Sequence, residues 1–185
     1  MASSSIFGIK NLRDLYNRIL LFTTKNLRFI EGDLSVSGKV SSKRPVMELS
    51  SGTTKTLSGG DSGTVIMINN AFSSGFTLTL PEDTAANIGF HCTVLIAVTQ
   101  TGTFKIATAN DGDRMFGAIH AQNTSAANAH VFNPGGASDN LVFDADTKGR
   151  LAGSVYRITY IAANKILVEG HAVGSGTLAT PFSNS

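Results

Sequence analysis

Val155-Tyr-Arg-Ile-Thr-Tyr-Ile161, Ala162-Ala-Asn164, Lys165-Ile-Leu-Val-Glu169 is the stretch whose reading decides the fold. Its two apolar runs are rich in β-branched and aromatic residues. Tyr156, Ile158 and Tyr160 alternate with Arg157 and Thr159, the period of a strand with one buried face. The break between the runs ends on Asn164, and Asn tolerates the left-handed conformation that tight hairpins need. The stretch therefore reads as a β-hairpin.

Working outward, the same signature recurs across the body. Candidate strands are Val46–Ser51, Lys55–Leu57, Thr64–Ile68, Phe76–Leu80, His91–Val98, Thr103–Ala107, Arg114–His120, His130–Phe132 and Asn140–Asp144, besides the hairpin pair. Turn clusters such as Ser58-Gly-Gly-Asp-Ser-Gly63 and Asn133-Pro-Gly-Gly136 separate them. Many short strands with regular punctuation predict a sandwich or barrel. Only Glu82–Asn87 reads as a helical turn, after Pro81. The expected core comprises Val65, Met67, Leu78, Leu80, Val94, Ile96, Leu141, Phe143, Tyr156, Ile158, Tyr160, Ile166 and Val168. The fold class is mainly β: a β-sandwich or jelly-roll-like body with an N-terminal amphipathic helix and extended arm. The expected divisions are 1–45 for helix and arm, 46–170 for the body, and 171–185 for an extended C-terminal tail.

The N-terminal segment differs. Leu12, Leu15, Tyr16, Ile19, Leu20 and Phe22 recur at helical spacing and share one face. Such a face must be buried, either on its own domain or on a neighbour. From Leu27 the period changes to two, through Leu34-Ser-Val-Ser-Gly-Lys-Val40. The Ser41–Pro45 break then sets off the body. Residues 1–48 carry eight basic and four acidic side chains, a net +4, against seven and nine in the rest, a net −2. That asymmetry predicts an arm with its own partner. Its expected contact residues are Leu12, Leu15, Tyr16, Ile19 and Phe22, with Arg13, Arg18, Lys25 and Arg28. The basic residues are dispersed and lack an aromatic series, so nucleic acid is not expected as a partner. No apolar run approaches a membrane span, and Ile19-Leu-Leu-Phe22 is too short for a signal-peptide core.

Catalytic and metal signals are weak. The histidines are His91, His120, His130 and His171, with no i, i+4 pair. Cys92 lies in an apolar run and reads as a small buried hydrophobe. Neighbours on a strand face opposite ways, so His91 and Cys92 do not form a chelate. Asp144-Ala-Asp-Thr-Lys-Gly149 opens like a calcium loop, but Lys148 and Val155 occupy donor positions. Both it and Asn110-Asp-Gly-Asp113 read as polar turns. No nucleophile elbow, phosphate loop or dinucleotide fingerprint is present. The expectation is a non-enzymatic chain with no cofactor and no metal.

A resemblance adds to this reading. Glu31-Gly-Asp-Leu-Ser-Val-Ser-Gly38 resembles segments common in tailed-phage fibre and virion proteins. The body is similar to small β-domain virion proteins of tailed phages, especially cyanophages. The carrying residues are Thr56-Leu-Ser-Gly-Gly-Asp-Ser-Gly63, Phe76-Thr-Leu-Thr-Leu-Pro81, Gly89-Phe90, Ile166–Gly170, Gly174-Ser-Gly-Thr177 and Thr180-Pro-Phe182. The resemblance implies a virion structural protein, a capsid decoration or cement protein that binds the major capsid shell and self-associates, often as a homotrimer. The alternative it leaves open is a tail or tail-fibre component, receptor-binding or adaptor. Expected partners are further copies of the chain and the major capsid protein or other virion proteins. The expected location is the virion surface, after synthesis in the host cytoplasm.

Overall fold

The computed structural model describes residues 43–110 and 112–184. Residues 1–42 of the expected helix and arm, with all nine of their proposed contact residues, lie outside the described residues.

All eleven expected strands form, because alternating apolar side chains can bury one face of an extended chain. They are β1 (Val46–Leu49), β2 (Thr54–Thr56), β3 (Val65–Ile68), β4 (Phe76–Thr79), β5 (His91–Ile96), β6 (Phe104–Ala107), β7 (Arg114–Asn123), β8 (Ala129–Phe132), β9 (Asn140–Phe143), β10 (Val155–Ala162) and β11 (Lys165–Gly174). A twelfth, β12 (Phe182–Ser183), follows. The expected helical turn narrows to a 3-10 turn at Ala85–Asn87.

The strands make two mixed sheets. One has seven strands in the order β1-β3-β5-β10-β11-β7-β8, the other five in the order β12-β9-β6-β4-β2. From β1 to β6 the chain alternates between sheets, and each return lies parallel to the strand before it: β1, β3 and β5 in one sheet, β2, β4 and β6 in the other. This half is wound like a flattened coil. The later strands pair mostly antiparallel, except β7 with β11. The β-rich, two-sheet body matches the expectation, but its connectivity corrects the jelly-roll reading. A jelly roll is built from antiparallel Greek keys, whereas the β1–β6 pairings within each sheet are parallel.

The sheets close on one hydrophobic core. An aromatic series crosses it from Phe72 to Phe76 (ring centroids 4.4 Å apart), Phe104 (6.2 Å), Phe143 (5.7 Å) and Tyr156 (4.6 Å). The last step joins β9 of one sheet to β10 of the other. Tyr156 and Tyr160 are buried to their tips, and each hydroxyl donates a hydrogen bond, to the Gly149 carbonyl at 2.8 Å and the Pro81 carbonyl at 2.6 Å. Such partners allow a phenol to serve in a core.

Eleven of the thirteen expected core residues are buried, and Val65 and Met67 are not. The strand Val65-Ile-Met-Ile68 is apolar throughout, so its own sequence sets no phase. Register sets it: Ile66 pairs with Val94 and Ile68 with Ile96, both inward, which turns Val65 and Met67 out. The expected tail is also tied in. β11 runs on to Gly174, and β12 pairs with β9.

Candidate functional site: the outer face of the seven-stranded sheet

The register of the seven-stranded sheet lays its outward side chains in transverse rows. One row runs Glu48, Met67, Leu95, Val155, His171, His120, Val131. The next runs Val46, Val65, Thr93, Arg157, Glu169, Ala118. A third holds His91, Thr159, Leu167 and Phe116, with Ile161 beyond it on β10. Of the large apolar side chains left exposed among the described residues, four lie on this face: Val46 (63%), Val131 (56%), Ile161 (49%) and Phe116 (43%).

The outward side chains of the five-stranded sheet differ. Thr54 and Thr56 of β2 stand beside Thr77 and Thr79 of β4, followed by Lys105 and Val142. Mostly small hydroxyls, with one cation and one valine, make an ordinary solvated face for a half-buried sheet.

A shallow groove of about 590 Å³ lies in the apolar face. Arg157, Glu169, His120 and His171 contribute its polar groups, and Val155 and Leu167 its apolar sides. Gly117 helps to form it. Its φ is +106°, and a Cβ there would lie 2.2 Å from the Val168 carbonyl oxygen. Only glycine permits this approach of β7 to β11.

Other polar features resolve as structure. Cys92 is buried, and burial pushes its thiol up to about 12, far from the thiolate that nucleophilic chemistry needs. The loop that opens like a calcium site uses its carboxylates internally. Lys148 pairs with Asp144 at 3.0 Å and Arg150 with Asp146 at 2.6 Å, around a 3-10 turn at Asp146–Lys148. In the Asn110–Asp113 segment, Asp113 is fully buried. As an ion it has no hydrogen-bond partner at either oxygen. Burial, and then the adjacent Asp83 carboxylate, push its carboxyl up to about 6, and once protonated it can donate to Asp83. Among the described residues no group of three or more His, Cys, Asp or Glu side chains could hold a metal ion. Nor is any described helix long and apolar enough to cross a membrane.

Reasoning from sequence therefore did not find this face. A clue was available in the continuous apolar character of Val65–Ile68 and Val94–Val98, which exceeds what one buried face requires. No protein-family model and no curated protein matches this chain.

Proposed function

We propose that this chain is a non-enzymatic structural subunit of a multi-copy particle, a phage capsid decoration or cement protein. It self-associates as a homotrimer with the outer faces of the seven-stranded sheets turned toward one another, and residues 1–45 attach it to the shell. What supports self-association is the contrast between the two outer sheet faces. Large apolar side chains gathered on one face around a charged and histidine-bearing centre, against mainly threonines on the other, suit a surface that meets protein. The occupant proposed is a second copy, because the central row is self-complementary in charge. Arg157 and Glu169 stand side by side on adjacent strands, so around a threefold axis Arg157 of one copy can meet Glu169 of the next in a head-to-tail contact. The attachment role rests on the helical stripe Leu12, Leu15, Tyr16, Ile19 and Phe22 and on the +4 charge of residues 1–48.

Sedimentation of the purified full chain tests the first half. A trimer at micromolar concentration is expected, and a monomer there overturns self-association. Imaging of particles with gold-labelled protein tests the second. Label over the capsid surface is expected, label on the tail selects the tail-component reading, and unlabelled particles overturn both.

A further inference from the structure

Imidazole and thiolate are the protein ligands that favour zinc-class metals. The sequence holds four histidines and one cysteine, and all five lie among the described residues, so the whole set of such donors is visible. Cys92 is buried. The His91 ring lies 3.4 Å from the Ser62 hydroxyl and 3.1 Å from the Gly89 carbonyl oxygen. His130 stacks on Phe132, ring centroids 5.9 Å apart. The remaining two differ from these. His120 and His171 are register partners in the parallel pair of β7 and β11, both are exposed, and both line the groove. Neither makes a side-chain hydrogen bond or ion pair among the described residues.

We propose that His120 and His171 form a two-imidazole site for a zinc-class transition metal ion (Zn²⁺, Ni²⁺ or Cu²⁺) in the groove of the seven-stranded sheet. Register partners on adjacent strands are rooted about 4.8 Å apart and point to the same side. Two nitrogens on one tetrahedral ion, each about 2.1 Å from it, lie roughly 3.4 Å apart. Two rings free to rotate can converge to that spacing. The groove leaves room above them for water in the other coordination positions. Val155 and Val131 continue the row on either side of the pair, and neither offers a competing donor. Glu169 precedes His171 by two residues on the same face and adds negative charge, while Arg157 opposite it keeps the groove from being an acidic sink for any divalent ion. With two protein ligands the ion keeps open positions, unlike a closed structural zinc centre; water fills them in a single copy, and a neighbouring copy can cover them if the seven-stranded faces meet as proposed.

The test is calorimetric titration of the untagged full chain with Zn²⁺ in a non-chelating buffer. One ion per chain is expected, with no competition from excess Ca²⁺, which prefers oxygen ligands. His120→Asn and His171→Asn should each weaken binding by at least the roughly 10–100-fold that losing an outer-shell partner costs. His91→Asn and His130→Asn should leave it unchanged. Zn²⁺ should also raise the melting temperature of the parent chain but not of the two groove variants, whose metal-free melting stays at the parent value. Absence of one-to-one binding, or binding that survives either groove substitution, overturns the site. Sedimentation of the same samples keeps it separate from self-association: binding by a monomeric chain supports the site while counting against the trimer.

Discussion

The outer faces of the two sheets have opposite chemistry, although both cover the same core. On the five-stranded sheet the outward positions include Thr54, Thr56, Thr77, Thr79 and Lys105, with Ala107 and Val142 as small apolar members. On the seven-stranded sheet they include Val46, Met67, Leu95, Leu167 and Phe116. The core cannot be the cause, since inward positions on both sheets are equally buried. Part-buried outward residues such as Met67, Leu95 and Leu167 gain some stability from cross-strand packing, but the exposed Val46, Phe116, Val131 and Ile161 gain little, which fits the contact surface proposed above. Substitutions can separate fold from contact by the size of their effects.

The largest effect should come from the inner faces, which set the scale for both sheets. Phe143 is fully buried and stacks between Phe104 and Tyr156, so it bridges the sheets. Phe143→Ala should destabilise by about 3–5 kcal/mol, measured by urea unfolding. A loss below about 1 kcal/mol would mean that the sheets do not share one core.

Next comes the backbone under the groove. Gly117→Ala places a methyl group against the Val168 carbonyl at a positive φ. Overpacking and left-handed strain together should cost roughly 2–4 kcal/mol. Gly112, where an added Cβ meets nothing within 4 Å, is the control and should tolerate alanine. Equal effects at the two sites would show that β7 does not approach β11 as closely as described.

Much of this was legible in the sequence, and the failures share a cause. Strand existence is local: the eleven strands follow from β-prone runs, most of them alternating, set between turn residues. Pairing is not local. Nothing in Val46–Leu49 or Thr54–Thr56 announces a parallel neighbour, so the coil-like first half was missed. Val65-Ile-Met-Ile68 carries no alternation, and its phase comes from β5. β7 and β11 continue through small and polar residues to Asn123 and Gly174 because each supplies the other's ladder. The His120–His171 pair depends on that same register and was invisible for the same reason. The Thr77/Thr79 alternation, by contrast, displayed its solvated face directly.

A smaller effect concerns pH at the end of the body where Asp83, Asp113 and Tyr160 meet. The raised Asp113 carboxyl means the folded state holds a proton that the unfolded chain releases earlier. Between the ordinary aspartate value near 4 and about 6 the folded state binds more protons, so stability from this group falls as pH rises through that window and is level above it. Asp113→Asn, which stays neutral, should remove this slope. The difference between parent and variant unfolding free energies, followed from pH 4 to 8, isolates it from other carboxylates such as Asp61, which the Ser58 backbone amide holds low. A pH-independent difference would show that Asp113 does not titrate there.

The smallest effect on stability should be the most informative about the two faces. Phe116 and Val131 are outward and about half exposed, so little of either contributes to the isolated fold. Phe116→Ser with Val131→Thr should shift unfolding of the dilute protein by only about 0.5 kcal/mol per site, the usual range for surface changes. The same pair should abolish the trimer in sedimentation, because a few large side chains carry a disproportionate share of an interface's energy. The matched control lies on the other face: Thr77→Ser with Thr79→Ser should alter neither stability nor assembly beyond that range. If the threonine pair disrupts assembly and the Phe116/Val131 pair does not, the five-stranded sheet is the contact surface. The apolar rows would then need a different explanation. If neither pair does, copies meet through strand edges. β8 is the edge to examine first, since it ends the seven-stranded sheet and has Ala129, His130 and Val131 exposed.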